Sequence, residues 1–95
     1  MNFAGEIQLY EAIKQMRILS AKGKTFSFSH ATYNLDRISG SGLRRVRQAS
    51  LRPAASSDDI IYADLKLFYT DEEIGEPRNC WQHLIKEFNG FKIFL

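Results

Sequence analysis

Leu9, Ala12, Ile13, Met16 and Leu19 recur at spacings of three and four, with Glu11, Lys14, Gln15 and Arg17 filling the positions between. A single apolar stripe at that period predicts an amphipathic helix from about Glu6 to Ser20. Gly23 follows Lys22 where a residue of left-handed backbone ends a helix, and the lysine charge suits the negative helix end.

After Lys24 the period falls to two. Phe26 and Phe28 point one way with His30 and Thr32 following, and Thr25, Ser27 and Ser29 point the other. The alternation predicts a half-buried strand with both phenylalanines in the core. Residues 34–42 hold Asn, Asp, Ser and two glycines, the composition of a loop, with Ile38 as its apolar anchor. A second strand is predicted from Leu43 to Arg52. Its apolar parity slips between Val46 and the pair Ala49 and Leu51, which a β-bulge near Arg47 and Gln48 reconciles.

Pro53 and "AASSDD" close that strand, and "IIYADLKLFY" predicts a third, with Ile61, Ala63, Leu65, Leu67 and Tyr69 on one face. "TDEEIGEP" reads as an acidic turn built around Gly75 and Pro77. The last segment supports two readings. Cys80, Trp81, Leu84, Ile85 and Phe88 fall at helical spacing, with Gly90 as a cap. Alternatively, Asn89-Gly90 is the favoured pair for a type I′ turn joining two strands, the second being Phe91 to Leu95.

At 95 residues, 44% hydrophobic and 25% charged, the chain has the composition of one globular domain, residues 1–95. No apolar run approaches the roughly 20 residues that cross a bilayer. The opening residues show no basic segment followed by an apolar one, so a cytoplasmic protein is expected. Cys80 is the single cysteine, which leaves no intrachain disulfide and no cysteine-based zinc site.

Charge changes the picture more than composition does. Residues 1–55 hold nine Lys/Arg against three Asp/Glu, and residues 56–95 hold four against eight. Five of the basic residues, Arg37, Arg44, Arg45, Arg47 and Arg52, flank the glycines of "RISGSGLRRVRQASLRP". One reading is a phosphate-contacting surface for nucleic acid. The other is the wet side of a strand, whose arginine stems cover apolar surface while the acidic half supplies partners. On a strand, Arg45 and Arg47 share one face and Arg44 the other, so the five do not form one patch.

The inventory for catalysis is thin. His30, His83 and Cys80 have no ligand spacing, "SGSG" lacks the lysine and helix of a phosphate-binding loop, and the Asp71, Glu72, Glu73, Glu76 group lacks the alternation of a calcium loop. No enzyme, cofactor or metal is expected.

Three blocks carry a resemblance: Lys24, Thr25, Phe26 and Ser27; Gly40, Ser41 and Gly42; and Leu84, Ile85, Phe88, Asn89, Gly90, Lys92 and Ile93. In these the chain resembles small uncharacterised proteins encoded in phage and prophage-like gene clusters of Bacteroidetes. Those proteins similarly open with a short helix, then a Phe-Ser strand and a Gly-rich loop, and end in a "FNG" turn. The resemblance implies apolar and polar residues alternating before that turn, and so a strand over residues 80–88. Gln82 departs from it, standing where an apolar residue is expected.

Together these readings predict an α+β fold in which the helix packs on a bent antiparallel sheet of about five strands, closed in the limit as an SH3-like barrel. The expected role is a non-enzymatic structural or accessory protein of a phage or prophage-like element. It would act through protein contacts or self-association, with Phe91, Ile93 and Leu95 as interface residues. The alternative is a small nucleic-acid-binding protein using the basic strand from Arg44 to Arg52.

Overall fold

A computed structural model of the chain describes residues 4–32, 42–54 and 63–95. The predicted loop with Ile38, and Arg37 and Ile61, lie outside the described residues. The described chain is α+β. One helix, α1 (Leu9–Ala21), packs on a sheet of seven strands: β1 (Gly5–Gln8), β2 (Phe26–Ala31), β3 (Leu43–Leu51), β4 (Lys66–Asp71), β5 (Glu76–Trp81), β6 (Ile85–Phe88) and β7 (Phe91–Phe94). Their order is β1-β7-β6-β2-β3-β4-β5, and β1 runs parallel to β7 while every other pair is antiparallel.

The helix starts three residues later than its apolar stripe predicts. Residues 5–8 pair instead with residues 91–94, setting Ile7 beside Ile93. Gln8 then caps the helix, its Oε1 accepting from the backbone N–H of Tyr10 at 2.9 Å and of Glu11 at 3.1 Å. At the other end Gly23, at φ +72°, lets the N–H of Lys24 reach the carbonyl of Leu19 at 2.9 Å and its own N–H reach Ser20 at 3.1 Å. This double bond is the Schellman closure that the glycine position predicts.

Along β2 and β3 the inward rungs are Phe26 with Ala49, Phe28 with Val46 and His30 with Arg44. Between the first two rungs the single residue Ser27 of β2 stands against two of β3, Arg47 and Gln48, which places the bulge where the parity slip requires it. The Asn89-Gly90 turn has φ +47° and +87°, the left-handed pair of a type I′ hairpin. Asn89 also ties the turn to β2, its Oδ1 accepting from the N–H of Ser27 at 2.8 Å.

Four expectations need correction. The sheet has seven strands and is mixed, not an antiparallel sheet of about five, because β1 joins it in parallel and the segment over residues 80–88 is divided between β5 and β6. A single 3-10 turn at Gln82–Leu84 makes that division. The third strand begins only at Lys66: Ala63–Leu65 is another 3-10 turn, and Leu65 is 51% exposed. Pro77 lies within β5 opposite Thr70, not in the turn. It is tolerated there because β5 is an edge strand, with no outer partner for the N–H that proline lacks.

The fourth concerns closure. The sheet curls until Tyr69 of β4 meets Phe28 of β2, two strands away, with ring centroids 4.9 Å apart and edge to face. It still stops short of a barrel, because no ladder joins the two edge strands, β1 and β5. The edges are blunted by the shortness of β1 and by Pro77. Inside the curl, Leu9, Ala12, Ile13 and Met16 of α1 meet Phe26, Phe28, Val46, Ala49, Leu67, Ile85 and Phe88 in one core. Both Phe26 and Phe28 are buried there, as the alternation predicts.

Candidate functional site

Where the sheet fails to close, the last inward rung of β2 and β3 faces β5 across a cavity of about 420 Å³. His30, Tyr69 and Cys80 form its buried floor. Arg44 and Arg78 stand at its sides, with Trp81 and Leu84 beside them, and no residue of α1 lines it.

The floor is a fixed polar pair. His30 Nδ1 lies 3.2 Å from the carbonyl oxygen of Ala31 and Nε2 lies 3.1 Å from the Tyr69 hydroxyl. A carbonyl only accepts, so Nδ1 carries the proton and donates to Ala31, and Nε2 accepts the hydroxyl proton. The carbonyl fixes Nδ1–H, and the depressed basicity of the buried ring leaves Nε2 free of a proton and able to accept from Tyr69. Burial holds His30 below its ordinary 6.5 despite the bond to Ala31, and the charges of Arg44 and Arg78 depress it further. Burial likewise pushes the Tyr69 hydroxyl up to about 12 and the Cys80 thiol up to about 12. All three groups are therefore uncharged near neutral pH, and the cavity's charge comes from its arginines.

The arginines of the basic stretch have divergent roles. Arg44 pairs with His30 in the ladder and faces the cavity, with no hydrogen bond or ion pair among the described residues. Arg45 sits opposite Ser29 on the outer face and is exposed, as is Arg47, which lies 3.6 Å from Glu73. Arg52 is structural. Its Nε donates to the Tyr69 carbonyl at 3.0 Å, its Nη1 to Pro53 at 3.1 Å and its Nη2 to Arg78 at 2.9 Å, with the guanidinium 5.6 Å over the Phe68 ring. It links β3, β4 and β5. Arg78, which the sequence did not single out, donates from Nη2 to Glu76 at 2.7 Å, while its Nε is buried without a hydrogen-bond partner. Among the described residues no group of three or more His, Cys, Asp or Glu side chains is placed to hold a metal.

A second region lies away from the cavity. Leu9, Tyr10, Leu65, His83 and Leu95 surround a groove of about 330 Å³. Tyr10 is 66% exposed and Leu95 82%, so this is apolar surface in contact with water. Of the predicted interface residues, Leu95 belongs to this groove, Ile93 packs on the core, and the Phe91 ring lies over Gly5, 3.4 Å from where a Cβ would stand.

Neither region has the spacing of a known motif in sequence. His30 is placed inward by the Phe26, Phe28, His30 alternation, but its neighbours Tyr69, Arg78 and Trp81 arrive through the curl of the sheet. No helix among the described residues is long and apolar enough to cross a membrane. No protein-family model, curated protein or solved structure matches the chain.

Proposed function

We propose that the chain is a non-enzymatic binding protein that works through protein contacts, as a structural or accessory component of a phage or prophage-like element. The observation that supports the contact role is the groove where Tyr10, Leu65 and Leu95 leave apolar surface exposed side by side. Contiguous apolar surface of this kind stays stable in water at a cost and marks partner sites. The resemblance in the Phe-Ser strand and the Asn-Gly turn supplies the setting, in the host cytoplasm or on the particle. A non-enzymatic role agrees with a His30 ring held neutral between Tyr69 and Ala31, with no carboxylate among the described residues that line its cavity.

The test is co-purification of the tagged chain with the products of its neighbouring genes, together with light scattering of the pure protein over a range of concentrations. A complex or self-association that is lost in Tyr10→Asp/Leu65→Asp, with the circular dichroism unchanged, is the expected result. A chain that stays monomeric and captures none of those products overturns the proposal.

A second reading, nucleic-acid binding, is favoured by the exposure of Arg44, Arg45 and Arg47 on β3. It predicts affinity for random DNA that falls steeply with salt and is lost when the three become alanine.

A further inference from the structure

We propose that the cavity between β2, β3 and β5 is a phosphate site, holding a phosphate group between the guanidinium groups of Arg44 and Arg78. This goes beyond the protein-contact role and does not depend on the apolar groove.

Three observations lead to it. First, the two arginines come from separate strands, β3 and β5, and both line one concave cavity. Donors that converge from different directions suit a tetrahedral oxyanion, whereas a planar carboxylate is matched by one guanidinium fork. Second, the positive charge there is under-compensated. Glu76 meets Arg78, but among the described residues Arg44 has no acidic partner and no Asp or Glu lines the cavity. Third, the Nε–H of Arg78 is buried and lacks an acceptor. Buried donors in folded proteins are nearly always satisfied, so the Arg78 guanidinium keeps unmet donor capacity that a small turn of its part-exposed side chain presents to an oxyanion in the cavity.

The floor is compatible with an anion. His30 and Tyr69 satisfy each other, and Tyr69 and Cys80 stay protonated, so the floor presents no phenolate or thiolate to repel it. About 420 Å³ exceeds what one phosphate fills and lies within the range of small-molecule sites. Trp81 and Leu84 offer an apolar wall for an organic body attached to the phosphate. The shared chemistry is the phosphate group, and its source is either the free ion or an ester.

The experiment is a titration of the full chain, labelled with nitrogen-15, by inorganic phosphate and separately by phenyl phosphate, followed by NMR. The expected result is saturable shifts at the His30 ring, the Arg78 Nε–H and the Trp81 indole, with affinity lowered about tenfold in Arg44→Gln. Lys92→Gln, on β7 and outside the cavity, is expected to bind as the parent does. Tighter binding of phenyl phosphate identifies an ester as the source, and equal affinity identifies the free ion. Because a bound anion offsets the arginine charges, saturation also moves the His30 titration upward. Shifts scattered over the exposed lysines without saturation overturn the proposal. So does binding that Arg44→Gln leaves unchanged while its unfolding midpoint matches the parent's.

Discussion

On β2 and β3 the rungs Phe26 with Ala49 and Phe28 with Val46 lie in the core that α1 helps to fill, and the next inward rung, His30 with Arg44, faces the cavity. The same pleat therefore serves two purposes within six residues. Where apolar side chains meet from α1 and from across the curl, burial alone stabilises the rung. Where the sheet gapes, the inward residue needs a polar partner, and Tyr69 provides it. The Tyr69 ring packs edge to face on Phe28 while its hydroxyl bonds His30, so one side chain closes the core and floors the cavity.

Truncation in the two regions therefore has unequal effects. The largest is expected for Phe28→Ala, which removes a ring packed among Phe26, His30 and Tyr69. A loss of about 3 to 5 kcal/mol in urea unfolding is expected. That is a large fraction of the roughly 5 to 15 kcal/mol of a typical domain. A loss as small as that of a surface substitution would show that the core does not extend under this rung.

Tyr69→Phe keeps the packing and deletes the hydroxyl, leaving His30 Nε2 buried without a donor. The expected loss is about 1 to 3 kcal/mol. The His30 nitrogen shifts report whether the tautomer survives.

A pH effect follows next in size. Burial and the two arginines depress His30 in the folded state relative to its ordinary 6.5, so the unfolded chain binds its proton first. The stabilising contribution is full above about pH 6.5 and is lost progressively as pH falls below it toward the folded value. Thermal unfolding between pH 7 and 5 is expected to show this fall, and His30→Gln to flatten it. An equally steep fall in the variant would assign the effect to other groups.

The smallest stability effect is expected for Arg44→Gln, within about 0.5 kcal/mol, because the side chain is exposed and unpartnered among the described residues. A clear destabilisation would make Arg44 part of the scaffold instead of the cavity wall.

The helix, the Schellman stop at Gly23, the buried Phe26 and Phe28, the bulge at Arg47 and Gln48 and the Asn89-Gly90 hairpin are all local patterns. Each depends on a period, a backbone preference or a dipeptide, and each is visible in sequence for that reason. β1 was not visible, because four residues carry too short a pattern to read and the pairing that makes them a strand, Ile7 with Ile93, is with the far end of the chain. Nor was the start of β4. Leu65 keeps the alternation of Leu67 and Tyr69 but lies in a turn, and Phe68, on the opposite parity, is buried against the Arg52 guanidinium.

The candidate site divides along the same line. Sequence alternation turns His30 inward and sets Arg44 on the opposite face from Arg45. Only the tertiary structure brings Tyr69, Arg78 and Trp81 to them and engages Arg52 with the carbonyls of Tyr69 and Arg78. The chain by itself thus determined which way side chains point along α1, β2 and β3, since that is decided by neighbours one to four residues away. The tertiary structure alone decided which of them meet, since that depends on how far the sheet bends and where it stops short of closing.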